Sequence, residues 1–455
     1  MEEHAARYYQ SFTRKVCHMH KFKRQTEIDH SNYAPSVNNP TAFYGLPKRV
    51  AFCTSCAITN QRPISALEYT HKPGTQKDTI GFDSAGKCDA CHVAELKRNQ
   101  IDWDEREREL SDLCDRFRRD DGRYDCIVPG SGGKDSFVQS HVLKYKYGMH
   151  PLTVTWAPHI FTDWGWRNFE RWIHSGFDNY LLTPNGRIHR LLTRLAVETL
   201  FHPFQAFILG QKSIAMSMAL KLNIPLILYG DHAAEWGTPK KDFRSSQLSW
   251  DEWVVRDETD YFIGGVSVAE LKSDFGVNDN DLLPYMPVNM HDVTKSGIEV
   301  HFMGYYMKWH PQANYYYAVE NGGFEPSPER TAGTYSKYSS LDDKMDDFNF
   351  YTSYIKFGYG RAMMDASQEV RNGDIDRDEA VALIKRYDGE FPERFADEVF
   401  RYLSLDEREF PIASQMFEQP IIDQEYFDDL ADSFRSPHIW MRVDGEWAQR
   451  YTAWS

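Results

Sequence analysis

A short apolar segment that runs into a glycine cluster and a lysine constrains the fold of this chain more than any other feature. It reads YDCIVPGSGGKDSF, residues 124–137. Its apolar start predicts a buried strand, its glycines a tight loop, and the residues after the lysine a helix. The chain then continues to alternate helices with the strand-like segments HPLTVTWAP, NYLLTP and IPLILYGD. This order predicts an α/β fold with a doubly wound, mostly parallel sheet and ligands at the carboxyl ends of its strands.

The loop after the first predicted strand has the chemistry of an anion site. Gly132 and Gly133 allow successive backbone N–H groups to turn inward, and the helix that follows adds the positive end of its dipole. Lys134 supplies a cation, while Ser131 and Ser136 supply hydroxyl donors. These residues predict a phosphate cradle, although an ordinary glycine turn is the alternative.

The cradle is not a Walker A loop. Val128 stands where that motif needs its first glycine, and Asp135 stands where it needs serine or threonine. A carboxylate beside a phosphate repels it unless a cation lies between them, so Asp135 predicts a Mg²⁺ ion at this site.

Four of the seven cysteines form two C-x-x-C pairs, Cys53 with Cys56 and Cys88 with Cys91. Each pair fits a tight turn that directs two thiolates at one tetrahedral ion. We therefore predict a structural zinc ion, with an iron–sulfur cluster or unliganded thiols as alternatives.

The other three cysteines have simpler interpretations. Cys114 lies on the apolar face of a predicted helix in 102–120, and Cys126 lies in a predicted buried strand, so both fit the core. Cys17 stands in CHMH, which we interpret as part of an N-terminal tail rather than as a metal site.

Charge and apolar length exclude two classes of partner. The chain has 67 acidic against 52 basic residues, a balance that repels nucleic acid. Its longest apolar stretches, such as NIPLILYG, are too short to span a bilayer. The first residues, MEEHAARYYQ, lack the order of a signal peptide, so we expect a cytoplasmic protein with reduced cysteines.

Composition and periodicity divide the chain into five parts. The parts are an N-terminal extension (1–48), a four-cysteine zinc module (49–95), a linking helix (96–122), a nucleotide-binding α/β domain (123–300) and an aromatic-rich, helical C-terminal region for substrate or partner (301–455).

Two further segments give separate predictions. We predict a long helical region over about 188–222 and expect the aromatic segment 305–317, YYMKWHPQANYYY, to line a sugar site or to pack in a core.

The hexapeptide SGGKDS resembles the PP-loop of the N-type ATP pyrophosphatases. The resemblance implies a HUP-like fold and cleavage of Mg·ATP between its α- and β-phosphates, with Ser131, Lys134 and Asp135 as the catalytic residues. It also implies that the end of the second strand meets the adenine and that the end of the fourth borders the same crevice. The implied ATP- and pyrophosphate-binding residues are Pro129, Gly130, Ser131, Gly132, Gly133, Lys134, Asp135, Ser136, Trp156, Ala157, Tyr229, Gly230 and Asp231.

A more specific resemblance covers roughly residues 50–405. The cysteine pairs, SGGKDS, LILYGD and the block YIKFGYGRAMMDASQEVRNGDIDRDEAVALIKRYDG together are similar to the N-acetyl sugar amidotransferases. That family implies adenylation of the N-acetyl carbonyl oxygen of a nucleotide-linked sugar and displacement of AMP by ammonia. The product is an acetamidino sugar for surface polysaccharide, lipopolysaccharide or flagellin glycans. The chain departs from the family in its long N-terminal extension and in Asp231, where the family has glutamate.

The KFGYGR stretch of that block contains two cations. We expect Lys356 and Arg361 to bind the phosphates or carboxylate of the sugar nucleotide, since a guanidinium fork suits such groups. Charges on a solvated helix face are the alternative.

The chain has no glutaminase signature of its own. Position 2, where a class II glutaminase has its cysteine, is Glu2, and no cysteine sits on a glycine elbow of the class I kind. We therefore expect a separate glutaminase subunit to supply the ammonia, and the sequence leaves the oligomeric state open.

Two other functions remain as alternatives. A PP-loop sulfur transferase, acting on tRNA or a small molecule, is disfavoured because no cysteine follows Cys126 and the net charge is −15. A non-catalytic nucleotide-binding protein with a degenerate loop is disfavoured by the intact Ser131, Lys134 and Asp135.

Overall fold

A computed structural model describes residues 20–24, 28–72, 74–238, 243–247 and 261–455 of the protein. Cys17 lies outside these residues. The strands are β1 (Cys126–Pro129), β2 (Pro151–Trp156), β3 (Asn179–Leu182), β4 (Leu226–Tyr229), β5 (Phe262–Ile263), β6 (Val266–Ser267), β7 (Glu299–Phe302), β8 (Trp440–Val443) and β9 (Glu446–Gln449).

Helices surround the strands and form most of the C-terminal half. They are α1 (Asp89–Asn99), α2 (Trp103–Phe117), α3 (Lys134–His141), α4 (Asp163–His174), α5 (Gly186–Leu200), α6 (Gln205–Leu222), α7 (Val268–Phe275), α8 (Asp279–Leu282), α9 (Met290–Ser296), α10 (Met303–Tyr306), α11 (Pro311–Gly322), α12 (Asp346–Phe357), α13 (Arg361–Asn372), α14 (Arg377–Tyr387), α15 (Ala396–Leu403) and α16 (Gln424–Ser433). A π-turn, Val142–Lys146, continues α3. The short 3₁₀ turns are His30–Tyr33, Ala233–Trp236, Leu283–Tyr285, Glu393–Phe395 and Ala413–Met416.

Five strands form one parallel sheet in the order β3-β2-β1-β4-β7. The predicted α/β fold with a parallel sheet is confirmed. The chain moves outward from β1 to β3 and then crosses back to β4, so the order reverses between β1 and β4. In such sheets the carboxyl ends of the two strands at the reversal open a crevice in which ligands bind.

Both faces of the sheet are covered, which explains the continuous apolar run of β1. Ile127 packs into a core with Ile214 of α6, while Val128 packs on the opposite face with Phe137 of α3 and Trp172 of α4. Successive side chains of a strand point to opposite faces, so a strand buried on both sides needs apolar residues at every position.

Two features differ from the sequence-based expectations. The sheet has a further strand, β7, which extends beyond residue 300, where we placed the end of the nucleotide-binding part. The helical region expected over 188–222 is two helices, α5 and α6. It breaks because Phe201 adopts a left-handed backbone (φ 50°) and Pro203 follows two residues later.

The four-cysteine segment packs against the C-terminal helices. Cys53, Cys56, Cys88 and Cys91 share a core with Met363 and Ala366 of α13 and with Ala380 and Ile384 of α14. The cysteine segment and helices α13 and α14, which are far apart in the sequence, thus form one core. No helix within the described ranges combines the length and apolar character that a membrane span needs.

Candidate active site

A cavity of about 600 Å³ lies at the carboxyl ends of β1 and β4, where the strand order reverses. The predicted site residues that line it are the whole loop Pro129–Ser136, Trp156, Tyr229, Gly230, Asp231 and Arg361. Ala157 is buried beside the cavity without lining it, and its backbone N–H donates to the Leu182 carbonyl (2.9 Å). The fold therefore brings segments that are distant in the sequence to one opening.

The glycines of the loop allow close packing against neighbouring elements. Gly132 has φ +86°, and a Cβ on it would lie 2.6 Å from the Phe169 Cα. A Cβ on Gly130 would overlap the Ser136 hydroxyl and the Trp172 ring. These two positions need glycine for space, and Gly132 also needs it for its backbone conformation.

Helix α3 begins at the cavity. Its N-cap is Gly133, and no side chain caps its first turn. The N–H groups of a helix's first turn have no partners within the helix and carry the positive end of its dipole. The loop and this helix end can therefore hold a phosphate through backbone N–H groups.

Lys134 and Asp135 form an ion pair at the cavity wall. The Lys134 Nζ lies 2.6 Å from Asp135 Oδ2, and Asn314 of α11 donates to Asp135 Oδ1 (2.8 Å). The lysine is buried, whereas the aspartate side chain is 42% exposed. The carboxylate is thus held in one orientation and remains open to the cavity.

A group of carboxylates that we did not predict also lines the cavity. Asp342, Asp343 and Asp346 come from the segment LDDKMDD, residues 341–347. Burial raises the pKa of Asp342, even though Ser131 hydrogen-bonds its carboxylate. Burial and the neighbouring carboxylates raise the pKa of Asp346 well above its ordinary value. The acidic run was visible in the sequence, but nothing in it indicated that the run would face the loop.

Asp231 borders the cavity at the end of β4. Trp236 donates its indole N–H to the Asp231 carboxylate. Burial raises the pKa of this carboxyl group, and the nearby Asp135 raises it further. Asp135, which follows β1, is therefore close enough to affect the ionisation of Asp231, which follows β4.

The wall near the end of β2 is apolar. The Trp156 indole lies there with Phe204, Phe207 and Ile208, and a Cβ on Gly210 would collide with the indole ring. Such a surface suits a flat aromatic group of a ligand. The sequence indicated Trp156 through its strand position, whereas Phe204 is the N-cap of α6 and Phe207 lies in its first turn.

Arg361 reaches the cavity from the start of α13. Its guanidinium donates to Asp365 (2.7 Å) and to the Ser340 hydroxyl (2.7 Å). The structure thus places this guanidinium next to the aspartate segment of the cavity.

Lys356 lies elsewhere. Its side chain is fully buried (0% exposed), and its Nζ donates to Glu68 (2.6 Å) and to the Leu200 carbonyl (2.6 Å). Lys77 also pairs with Glu68. Although burial opposes ionisation, these cations hold the pKa of Glu68 well below its ordinary value. Because Lys356 does not reach the cavity, we do not assign it to substrate binding.

Replacing Lys356 by methionine is expected to destabilise the fold. The substitution keeps the length of the side chain but leaves the buried Glu68 with Lys77 as its remaining partner among the described cations. We therefore expect the free energy of unfolding to fall by about 3 kcal/mol. Urea denaturation, followed by circular dichroism, measures this change in the free energy of unfolding. Lys221→Met, at an exposed position of α6, is the control. Equal stability of the two variants would contradict a structural role for the buried pair.

The four predicted cysteine ligands come together as a buried cluster. Their sulfur atoms all lie within 4.8 Å of one another, with 3.8 Å between the sulfurs of Cys53 and Cys91 and 3.7 Å between those of Cys56 and Cys88. Four sulfurs at a Zn–S distance of about 2.3 Å lie about 3.8 Å apart on a tetrahedron. The cluster therefore fits a zinc ion with no open position.

The cluster also connects α1 to the C-terminal helices. Cys88 is the N-cap of α1, and Cys91 lies in its first turn. Ser367 donates to the Cys56 carbonyl (2.7 Å), Arg371 contacts the Cys56 sulfur (3.6 Å), and Arg377 donates to the Cys53 carbonyl (3.3 Å). Of the cysteines that the structure describes, none lines the cavity at the carboxyl ends of β1 and β4.

Part of the chain matches a known protein family. Residues 332–452 match the family described as LPS biosynthesis protein WbpG-like, C-terminal domain. This stretch contains Arg361 and the carboxylates Asp342, Asp343 and Asp346. No curated protein matches the chain. The C-terminal part of the protein is therefore similar to a domain of lipopolysaccharide-biosynthesis proteins, and that part contributes to the candidate active site.

Proposed function

We propose that the protein is an ATP-dependent, AMP-forming amidotransferase of surface-polysaccharide biosynthesis. In this proposal it converts the N-acetyl group of a nucleotide-linked sugar into an acetamidino group. The observation that carries the proposal is one shared cavity. The SGGKDS loop and Arg361 of the KFGYGR block lie far apart in the sequence, yet they line the same opening. The match of residues 332–452 to a lipopolysaccharide-biosynthesis domain supports the substrate class.

The reaction has two steps. The carbonyl oxygen of the N-acetyl group attacks the α-phosphorus of ATP, an O–P bond forms, the bond to pyrophosphate breaks, and the amide nitrogen loses its proton. Ammonia then attacks the amide carbon of the resulting O-adenylated imidate. The C–O bond breaks, AMP leaves with its electron pair, and a proton leaves the nitrogen. Adenylation is needed because an unactivated amide is a poor electrophile.

The loop and its helix would hold the phosphates. Backbone N–H groups of Gly132 and Gly133, with the start of α3, suit the departing pyrophosphate, while the Ser131 N–H donates to the Ser136 hydroxyl. Lys134 would neutralise the charge that develops on it. The apolar wall of Trp156 and Phe207 would take the adenine. In this arrangement the loop stabilises the leaving group rather than a γ-phosphate.

The residues of the cavity fit a magnesium ion. Asp135 and Asp231 offer carboxylate oxygens, the ligands that Mg²⁺ prefers, close to the phosphate cradle. When bound, the ion would offset charge on the ATP phosphates. Asp231 is shorter than the glutamate expected from the amidotransferase family, but it keeps a carboxylate at this position. The zinc ion of the cysteine cluster would be structural, because its four thiolates leave no position for substrate.

Ammonia would come from a separate glutaminase subunit. This proposal follows from the cysteines of the sequence, none of which sits on a glycine elbow of the class I glutaminase kind. We further propose the domain division 1–48, 49–95, 96–122, 123–300 and 301–455 as the functional one, with the sheet extended to Phe302.

The alternative function, sulfur transfer, gains no support, since no described cysteine lines the cavity.

A direct assay tests the proposal. The full chain is incubated with Mg·ATP, an ammonium salt and each of a series of UDP- and CMP-linked N-acetyl sugars. We expect AMP and pyrophosphate to form only when both the matching sugar and ammonia are present. Mass spectrometry of the sugar should show the small decrease in mass that accompanies replacement of an oxygen by an N–H group. AMP formation that is independent of any sugar would count against the proposal.

A further inference from the structure

A second, smaller cavity adjoins the candidate active site. Its volume is about 260 Å³, and Trp309 lines both cavities. Its walls come from α1, the start of α2, the 3₁₀ turn Ala233–Trp236 and α13, so it is built by the cysteine module and the C-terminal region together. Its other lining residues are Ala90, Val93, Ala94, Lys97, Arg98, Trp103, Glu235, Lys308, His310, Gln368, Arg371 and Asn372.

Positive charge predominates around this cavity. Lys97, Arg98, Lys308 and Arg371 line it, against the single carboxylate of Glu235. Lys97 pairs with Glu235 Oε2 (2.7 Å), which leaves three cations in excess. The ligand expected here is therefore an anion.

Two of these three cations are available to a ligand. Arg371 contacts the Cys56 sulfur (3.6 Å), so its charge is directed at the cysteine cluster. Arg98 donates through one nitrogen to the Arg371 carbonyl (2.7 Å), and its charge also acts on the nearby carboxylate of Glu95, while Lys308 is exposed. A guanidinium and an ammonium group that line one cavity suit the adjacent phosphates of a diphosphate.

The cavity also offers surfaces for a planar ring. The indoles of Trp103 and Trp309 line it, together with the small apolar residues Ala90, Val93 and Ala94. Aromatic side chains stack on nucleobases without regard to their hydrogen-bonding edges. Such walls beside two cations fit a nucleoside that carries phosphates better than they fit an inorganic anion.

Glu235 points to a ligand that donates a hydrogen bond. The residue is 9% exposed, and its Oε1 atom is buried without a hydrogen-bond partner among the described residues. A buried acceptor of this kind is costly unless something donates to it. Burial raises the pKa of this carboxyl group to about 7, although Lys97 opposes the shift. This oxygen is closed to solvent and lies close to Gly304, so a ribose hydroxyl or a base N–H would reach it after a rotation of the Glu235 side chain.

We infer that the smaller cavity binds the nucleoside diphosphate of the sugar nucleotide, with Arg98 and Lys308 on the phosphates and Glu235 on a ribose or base donor. The inference rests on the proposed function for the identity of the sugar. Trp309, shared by the two cavities, marks where the sugar passes toward the adenylation site. An ammonium ion, the other reactant, is a poor fit because the cations in excess would repel it.

Calorimetric titration of the full chain tests the inference. UDP, CDP, GDP and dTDP are titrated in turn, with the larger cavity saturated by α,β-methylene ATP. We expect at least one diphosphate to bind with a stoichiometry of one. Lys308→Ala should weaken that binding about tenfold, because a charge-assisted contact to phosphate is lost. Glu235→Gln should also weaken it. Lys385→Ala, an exposed lysine of α14, is the matched control and should bind like the unmodified chain.

The outcomes separate this site from the proposed reaction. Binding of none of the four diphosphates, displacement of the bound one by the ATP analogue, or equal affinity in Lys308→Ala and Lys385→Ala would each overturn the inference. Sugar-dependent AMP formation alongside any of these results would leave the proposed function standing. Conversely, diphosphate binding that is lost in Lys308→Ala, without amidine formation from any sugar, would support the site and refute the reaction.

Discussion

Replacing Lys134 by alanine is expected to reduce AMP formation about 1,000-fold, since one group that stabilises transition-state charge contributes about 10²–10³ or more in kcat. The lysine is buried at the wall of the phosphate cradle and paired with Asp135. Its removal leaves the loop without a cation next to the departing pyrophosphate. The measurement is the steady-state rate of AMP release at saturating ATP, sugar nucleotide and ammonium.

Lys146→Ala provides the matched control. Lys146 lies in the π-turn that continues α3, and its partner is the exposed Glu107. A surface pair of this kind contributes little to stability, so the control should retain its rate. If Lys134→Ala, folded by circular dichroism, released AMP within a few-fold of the unmodified chain, the loop would not be the site of ATP cleavage.

Replacing Cys88 by serine is expected to remove the bound metal and to unfold the region around it. Structural zinc contributes on the order of 10 kcal/mol to the folding of small metal-binding domains. Here the loss should separate α1 from α13, because Cys88 caps α1 and the contacts of Ser367 and Arg371 depend on the position of Cys56. We expect about one zinc per chain in the parent protein, almost none in the variant, and a large fall in Tm.

Elemental analysis with an assay for acid-labile sulfide separates zinc from an iron–sulfur cluster. Cys114→Ala is the control, since Cys114 is equally buried but lies on the buried face of α2, away from the cluster's core. It should lose some stability and keep its metal. A Cys88→Ser protein that retained both metal and Tm would show that the cluster is not a metal site.

The main elements of the sheet were predictable because their signals are local. An apolar run such as CIVP must be a strand buried on both faces when glycines and a helix follow it. The C-x-x-C pairs were equally informative, since two thiols at that spacing can share one ion whatever surrounds them. Strand β7 was missed because Glu299–Phe302 is short and contains charged residues. Its pairing with β4 joins two segments that are distant in the sequence, so no local pattern reveals it.

Lys356 and Arg361 show where local information ends. They stand close together in one motif, and both carry a positive charge that suits a phosphate. Arg361 opens α13 and lines the cavity, whereas Lys356 lies near the end of α12 and is buried against Glu68. The sequence cannot distinguish them, because the difference arises from Glu68, which is 288 residues from Lys356.

The sequence alone determined the alternation of strands and helices, the glycine-rich loop SGGKDS between a strand and a helix, and the grouping of four cysteines. Each of these depends on backbone preferences and spacing within a short stretch of chain. Only the tertiary structure decided that Asp342, Asp343 and Asp346 face the loop, that Trp309 stands between two cavities, and that Glu235 keeps an unpaired oxygen among the described residues. Those facts depend on contacts between distant segments, because burial and electrostatic environment are properties of the packed chain.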